Sequence, residues 1–219
     1  MLVVFDLDGT LVDSRRDLAD STNEMLAGYG AAPLETDEVT GMVGEGATVL
    51  VARAIAAAGV AAPVDEALNR FRAAYDRRLL VYTRPYPGIP EVLAYARQHA
   101  SLAVLTNKPE APSRRLLLGL GLAHAFTEVV GGDSGYPRKP DPAGLRHLMA
   151  CTRHIPADAL LVGDSAIDVR TGNAAEVAVC GVRYGFGTTV DPDALAGARW
   201  IAANPGEIIA VLDRFLNRN

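Results

Sequence analysis

The sequence is poor in cysteine and lysine, and these shortages argue against a disulfide-rich protein, a cysteine-rich zinc protein and a nucleic-acid-binding protein. Its 219 residues include only two cysteines, Cys151 and Cys180, too few for a disulfide framework or a cysteine-rich zinc site. We expect both thiols to be reduced and buried. Lysine occurs only at Lys108 and Lys139, and the 19 arginines are scattered without a basic stripe. With a net charge of −5, this composition argues against nucleic acid as a partner.

Long uninterrupted apolar runs are also missing. Asp6 and Asp8 break the apolar run at the N-terminus, so no signal peptide is predicted. The alanine-rich stretch 47–64 has the length of a membrane span, but Arg53 near its centre favours a helix of a soluble protein. We therefore expect a soluble, cytoplasmic protein with no membrane contact, as a monomer or a homodimer.

Short β-branched or leucine-rich runs recur along the chain, and helix-like segments separate them. The runs are residues 2–5, 102–105, 127–130, 159–162 and 177–182, and the helix-like segments include 90–100, 111–121 and 141–150. This alternation predicts an α/β fold in which helices cover both faces of a mainly parallel sheet. Ligands of such sheets bind at the carboxyl ends of the strands.

One region breaks the alternation. From residue 14 to about residue 80, helical patterns follow one another with no convincing strand between them, and a proline-rich stretch, 83–90, ends the region. The economical interpretation is a helical bundle inserted after the first strand. We therefore predict a core domain of residues 1–13 and 83–219 and a helical domain of residues 14–82.

Four short motifs fall at the ends of predicted strands or in the loops that follow them. They are Asp6-Leu7-Asp8-Gly9-Thr10, Leu105-Thr106-Asn107-Lys108, Arg138-Lys139-Pro140-Asp141-Pro142 and the stretch 162–168, which contains Asp164 and Asp168. A carboxylate can act as the nucleophile in phosphoryl transfer. Mg²⁺ suits such a site because it is held by one or two carboxylates together with phosphate and water, and Asp6 and Asp164 are the natural ligands.

In content and order, these four motifs resemble those of the haloacid dehalogenase superfamily, in its phosphatase branch, and the resemblance covers the full chain. It implies a Rossmann-like sheet with a C1-type helical cap that closes over the site. It also implies Mg²⁺-dependent hydrolysis of a phosphomonoester through an aspartyl-phosphate. Asp6 would be the nucleophile and Asp8 the general acid and base. The metal would be held by the carboxylates of Asp6 and Asp164 and by the backbone carbonyl of Asp8.

The same resemblance assigns the phosphate-binding groups. They would be the Thr106 hydroxyl, the Asn107 backbone N–H and the Lys139 ammonium group, although a plain turn explains Thr106 and Asn107 equally well. Asp168 would support the metal site through water or a hydrogen bond to Lys139, but a helix N-terminus favours aspartate in any case. Lys108 receives no role, and a solvent-facing side chain would explain it.

Gly44 and Gly46 precede a predicted helix, whose free N–H groups would suit a second anionic group of the substrate. A flexible turn explains these glycines about as well. Within the superfamily, details of the chain resemble the phosphoglycolate phosphatases, including the loop GVRYGFG at 181–187. Glu176 stands where a glycine is frequent and Arg183 where a small hydroxyl residue is common, and both could alter that loop.

The small phosphorylated substrate is therefore expected to be phosphoglycolate, and alternatives remain within the same architecture. A pyrophosphatase, a nucleotidase or a sugar-phosphate phosphatase or mutase would fit the same motifs. From different classes, a phospho-accepting receiver domain would not need Asp164 or the inserted helices. A non-catalytic binding protein would not need the intact set of motif residues.

Overall fold

A parallel sheet of six strands runs through the centre of the molecule. The computed structural model describes residues 1–217, except for the side chains of residues 189 and 190. Its strands are β1 (Leu2–Phe5), β2 (Val12–Asp13), β3 (Arg84–Pro85), β4 (Ser101–Leu105), β5 (Glu128–Val130), β6 (Ala159–Gly163), β7 (Ala178–Val182) and β8 (Trp200–Ala202). The order in the large sheet is β5-β4-β1-β6-β7-β8, and β2 pairs with β3 separately. The strand that carries the first motif therefore lies in the middle of the sheet.

The strand β1 is apolar on both faces, and all four of its residues are fully buried. Val3 and Phe5 pack into the apolar cluster on one face of the sheet, and Leu2 and Val4 pack into the cluster on the other. A strand covered by helices on both sides requires this pattern. The five strands predicted from the sequence are confirmed to within one residue at each end.

Helices cover both faces of the sheet. They are α1 (Arg15–Ala27), α2 (Thr36–Thr40), α3 (Ala47–Ala57), α4 (Val64–Arg78), α5 (Ile89–Ala96), α6 (Glu110–Gly119), α7 (Ala143–Thr152), α8 (Ala166–Ala174), α9 (Gly187–Val190) and α10 (Pro205–Leu216). Helices α5 and α10 contribute to the apolar cluster on one face, and α7 and α8 contribute to the cluster on the other. The predicted α/β class is confirmed.

The predicted helical bundle consists of α1 to α4, which follow one another between residues 15 and 78. These helices share an apolar cluster of their own, which includes Leu26, Leu50 and Phe71 and is joined by Leu116 from α6. The buried Asp17 carboxylate ties the two ends of this segment together, because it accepts hydrogen bonds from the backbone N–H groups of Tyr82 and Thr83 at 2.9 and 2.7 Å. The inserted bundle is confirmed, while the division into domains at residues 13/14 and 82/83 stays a prediction.

Three strands of the structure are absent from the sequence interpretation. Strand β8 has three residues and lies at the edge of the sheet. Strands β2 and β3 have two residues each, and they pair Val12 with Pro85 and Asp13 with Arg84. Such short pairings between distant segments carry no periodicity that a sequence could display.

Two expectations about individual side chains need correction or comment. Cys180 is buried as expected, but Cys151 is exposed on α7. Glu176 and Arg183 are exposed, and neither side chain makes a hydrogen bond or ion pair with a predicted site residue in the described part of the chain.

Within residues 1–217, no helix is both long and apolar enough to cross a membrane.

Candidate active site

The carboxyl ends of the three central strands bring three of the motifs together. Asp6 follows β1, Thr106 follows β4 and Asp164 follows β6, and β1 pairs with both of the other strands. The backbone N–H of Asp6 still donates to the carbonyl of Val162 at 2.9 Å, so the Asp6 backbone is fixed by the sheet. The buried strands thus deliver a carboxylate, a hydroxyl and a second carboxylate to one edge of the sheet.

A group of three carboxylates, those of Asp6, Asp164 and Asp168, has ligand atoms within 4.8 Å of one another. The Lys139 ammonium group lies among them, 2.8 Å from Asp6 and 2.6 Å from Asp168. The Lys139 side chain is only 3% exposed, so its charge depends on these two partners. Three negative groups and one positive group leave the cluster with an excess of negative charge.

Burial and the neighbouring charges both shift the pKa values in this cluster. Burial raises the pKa of Asp6 to about 7, with Asp168 and Asp164 adding to the shift and Lys139 opposing it. Burial also raises the pKa of Asp164 to about 6, assisted by Asp168 and opposed by two backbone N–H groups. Burial lowers the pKa of Lys139, but Asp168 and Asp6 outweigh that effect and hold it above its ordinary value.

Asp164 is held by the backbone around it. Its Oδ2 accepts hydrogen bonds from the N–H groups of Phe186 and Gly187, at 2.7 and 2.9 Å, and its Oδ1 accepts from the Thr10 hydroxyl at 3.3 Å. Gly9 has φ of +87°, and a Cβ there would stand 2.4 Å from Asp164 Oδ2. The glycine of the first motif is therefore needed both for its backbone conformation and for the close approach of Asp164.

Asp168 satisfies both interpretations that the sequence left open. Its Oδ2 accepts from the Ser165 N–H at 3.1 Å and the Ser165 hydroxyl at 2.6 Å, in a capping box at the start of α8. Its Oδ1 accepts from the Lys139 ammonium group. Asp168 therefore orients Lys139 and starts the helix at the same time.

Asp8 lies in different surroundings from Asp6. Its carboxylate accepts a hydrogen bond from the Ser14 hydroxyl at 2.6 Å, and the Lys108 ammonium group lies 3.0 and 3.2 Å from its two oxygens. Lys108 also contacts the Tyr75 hydroxyl of α4 at 2.6 Å. The expectation of a solvent-facing Lys108 is wrong, because its side chain is 6% exposed. A sequence pattern did indicate a role for Lys108, because both lysines of the chain fall in motifs.

Thr106 and Asn107 face the same region. The Thr106 hydroxyl oxygen accepts from the Lys108 N–H at 3.2 Å, and within the described residues 1–217 the hydroxyl donates to no acceptor, so its proton is available to a ligand. The Asn107 side chain donates to the carbonyl of Gly44 at 2.8 Å and to that of Lys139 at 2.9 Å. Asn107 therefore links the loop before α3 to the loop that carries Lys139, a contact that sequence reasoning missed.

A cavity of about 450 Å³ lies between this edge of the sheet and the helical bundle. Among the predicted site residues, it is lined by Asp6, Asp8, Gly44, Gly46, Thr106, Asn107, Lys139 and Asp164. Gly46 caps α3 with φ of +94°, and a Cβ there would stand 3.3 Å from the Asn107 carbonyl oxygen. The structure therefore brings together every predicted site residue, with Asp168 behind Lys139.

Residues 3–182 match the sequence profile of the haloacid dehalogenase-like hydrolases. The chain belongs to this family. The match covers all residues of the four motifs, so the predicted resemblance is confirmed and the protein is a hydrolase of the haloacid dehalogenase-like family.

Individual relatives of the family agree with this assignment. A phosphoglycolate phosphatase of Rhodospirillum rubrum is 47% identical over 204 residues, which cover 90% of this chain and 84% of the relative. Phosphoglycolate phosphatase 1 of Pseudomonas aeruginosa is 41% identical, with 84% and 70% covered. The crystal structure of a predicted phosphoglycolate phosphatase from Haemophilus somnus superimposes with a TM-score of 0.91 at 32% identity and covers 96% of this chain and 97% of that one. The chain is thus similar to the phosphatase branch of the family in sequence and in structure.

Proposed function

We propose that the protein is a phosphatase that hydrolyses 2-phosphoglycolate through an aspartyl-phosphate on Asp6. The observation that carries this proposal is the buried set formed by Asp6, Lys139 and Asp164, with the Asp8 carboxylate nearby on the same cavity. The relatives named phosphoglycolate phosphatase support the choice of substrate. The small cavity is consistent with a small metabolite.

In the proposed first step, a carboxylate oxygen of Asp6 attacks phosphorus and the ester P–O bond breaks. Asp8, which is protonated at the start of this step, donates its proton to the departing alkoxide, and glycolate leaves. In the second step, Asp8 takes a proton from water, the water oxygen attacks phosphorus, and the bond to Asp6 breaks. Phosphate is released and both aspartates return to their initial states.

The phosphate would be held by groups that point into the cavity. The Lys139 ammonium group would supply positive charge, and the Thr106 hydroxyl, which donates to no acceptor in the described part of the chain, would donate its proton to the phosphate. The backbone N–H of Asn107 donates to no oxygen atom within residues 1–217, so it too is available to the phosphate. Donors fixed before the substrate arrives stabilise the transition state most effectively.

Mg²⁺ fits the donors at this edge of the sheet. All candidate ligands are oxygen atoms. Burial, together with the neighbouring carboxylates, raises the pKa values of Asp6 and Asp164, and a bound cation would stabilise their ionised forms. Asp6, Asp8 and Asp164 line the cavity, whereas Asp168 lies behind Lys139 and does not, so we assign the metal to the carboxylates of Asp6 and Asp164 and to the Asp8 carbonyl. When bound, the metal supplies charge neutralisation around the transferring phosphoryl group.

The helical bundle of residues 14–82 would act as the cap that closes the cavity. Gly44 in its loop accepts a hydrogen bond from Asn107, and Tyr75 in its helix α4 contacts Lys108. All four residues line the cavity, so the bundle meets the core at the cavity wall. Closure of this kind excludes water from a reacting phosphate and limits access to small substrates.

The test is a screen for phosphate release with Mg²⁺ present. It compares 2-phosphoglycolate with pyrophosphate, nucleoside monophosphates and sugar phosphates, and we expect 2-phosphoglycolate to give the highest kcat/KM. Asp6→Asn protein should be inactive on every substrate, while Asp65→Asn, a matched change on the exposed face of α4, should retain full turnover. Normal turnover by Asp6→Asn would refute the proposed nucleophile. Preference for another substrate would refute only the assignment to phosphoglycolate.

A further inference from the structure

Lys108 is a buried cation that the proposed phosphate and metal sites do not use. Its ammonium group has two kinds of partner, the Asp8 carboxylate and the Tyr75 hydroxyl, and it also lies 4.4 Å from the centre of the Tyr75 ring. A buried ammonium group is stable only when such partners surround it. The three side chains form a continuous chain from the helical bundle to Asp8.

The helical bundle reaches Asp8 from two directions. Ser14, directly before α1, donates its hydroxyl proton to Asp8 Oδ1 at 2.6 Å. Tyr75, on α4, contacts Asp8 only indirectly: its hydroxyl contacts the Lys108 ammonium group, which in turn lies within hydrogen-bond distance of both Asp8 oxygens. The orientation of the Asp8 carboxylate therefore depends on α4 lying against the core.

We propose that Tyr75 is a positioning residue that acts through Lys108 to orient Asp8 for proton transfer. The proposal rests on the acid–base role of Asp8 given above. Tyr75 is suited to the task because its ring is fixed by stacking on Phe71, with centroids 5.7 Å apart and planes inclined by 6°. Packing of the helical bundle against the core then orients the Asp8 carboxyl group as well as closing the cavity.

The test is Tyr75→Phe, which removes the hydroxyl but keeps the ring. Two substrates are compared by kcat/KM, which reports the steps up to departure of the leaving group. The alkoxide of 2-phosphoglycolate needs a proton from Asp8, whereas the p-nitrophenolate of p-nitrophenyl phosphate leaves without one. We expect kcat/KM for 2-phosphoglycolate to fall about tenfold and that for p-nitrophenyl phosphate to change less than about twofold. An equal fall for both substrates, or no fall for either, would overturn the proposal.

A double-mutant cycle tests whether Tyr75 acts through Lys108. In a Lys108→Met background, Tyr75→Phe should have no further effect on the ratio of the two kcat/KM values, and an independent, additive effect would contradict the proposal. Tyr95→Phe is the matched control, because it loses a hydrogen bond to the Asp213 carboxylate away from the cavity, and its ratio should equal that of the wild type. If the wild type itself does not hydrolyse 2-phosphoglycolate, the proposed function fails. An active wild type with an unchanged Tyr75→Phe ratio refutes the positioning role alone.

Discussion

At the scale of single residues, Lys139 compensates two buried carboxylates with one ammonium group. Lys139→Met keeps the length of the side chain but leaves Asp6 and Asp168 without their cation. Loss of one partner of a buried ion pair typically costs about 3–5 kcal/mol, and we expect the free energy of unfolding near neutral pH to fall by that order. Urea unfolding in EDTA measures it, with the exposed Arg97→Met as control. A loss no larger than that of the control would show that Lys139 is not compensating these charges.

Asp6 presents the opposite case, because its own charge destabilises the metal-free fold. Its pKa is raised from 3.8 to about 7 by burial, against the pull of Lys139 and with the push of Asp168 and Asp164. A carboxyl group with a raised folded-state pKa contributes stability at low pH and loses it as the pH rises through that value. In EDTA near pH 8, Asp6→Asn should therefore be more stable than the wild type by up to about 4 kcal/mol, the free energy that corresponds to the rise of the Asp6 pKa from 3.8 to about 7.

The dependence of this difference on pH and metal checks its cause. The advantage of Asp6→Asn should shrink as the pH falls from about 8 to about 4, because wild-type Asp6 becomes protonated over that range. Mg²⁺ should raise the urea midpoint of the wild type more than that of the variant. A variant that is less stable than the wild type at both ends of the pH range would rule out the buried charge as the source of the effect.

The surroundings of Asp8 show where sequence reasoning at this scale stops. The motif placed Asp8 beyond the end of β1, and the structure agrees. Its partners Lys108 and Ser14 lie 100 and 6 residues away, and Tyr75 contacts Lys108 across 33 residues. The contacts of Lys108 with Asp8 and Tyr75 join distant segments and are set by the packing of the helical bundle on the core, which a local sequence pattern does not encode.

At the scale of elements, Glu176 occupies a turn that favours glycine. It joins α8 to β7 with φ of +61°, a left-handed conformation that costs a residue with a side chain about 1 kcal/mol. Glu176→Gly should therefore raise the free energy of unfolding by about that amount. Glu91→Gly, in the first turn of α5, should lower it, because glycine has a low helix propensity and the substitution removes an acidic side chain that favours the helix N-terminus.

The same substitution tests the position of Glu176 relative to the site. Glu176 precedes β7, whereas the loop at 183–187 follows it, so the two lie at opposite ends of that strand. We expect kcat and KM of Glu176→Gly to equal those of the wild type. A change in either would mean that this turn influences the loop that holds Asp164.

The elements that sequence reasoning recovered are those with a strong local signal. Strands β1, β4 and β6 are buried apolar runs, and their order along the chain sufficed to place the motifs at one edge. The pairing of β2 with β3 joins segments about seventy residues apart and has only two residues on each side. This pairing forms only because the inserted helices bring the chain back next to β2, where the insertion begins.

At the scale of the whole molecule, the chain enters and leaves the helical bundle at the paired strands β2 and β3, so the bundle could be removed without opening the sheet. Asp13 and Arg84 are partners in an antiparallel pair, so the bundle stands where a hairpin loop would stand. The apolar clusters on the two faces of the sheet are built almost entirely from residues outside the segment 14–82. The prediction that this segment is a domain of its own can therefore be tested by removing it.

Replacement of residues 14–83 by Asn-Gly would close the β2–β3 pair with a two-residue turn. We expect the shortened protein to fold and to keep its stabilisation by Mg²⁺, because Asp6, Asp164 and Lys139 remain. Its kcat/KM for 2-phosphoglycolate should fall at least about a hundredfold, since Ser14, Tyr75 and the exclusion of water are lost together. Circular dichroism, thermal unfolding with and without Mg²⁺, and phosphate release provide the measurements. A shortened chain that does not fold would show that the bundle and the sheet form one cooperative unit, and a fully active one would show that the bundle is not a cap.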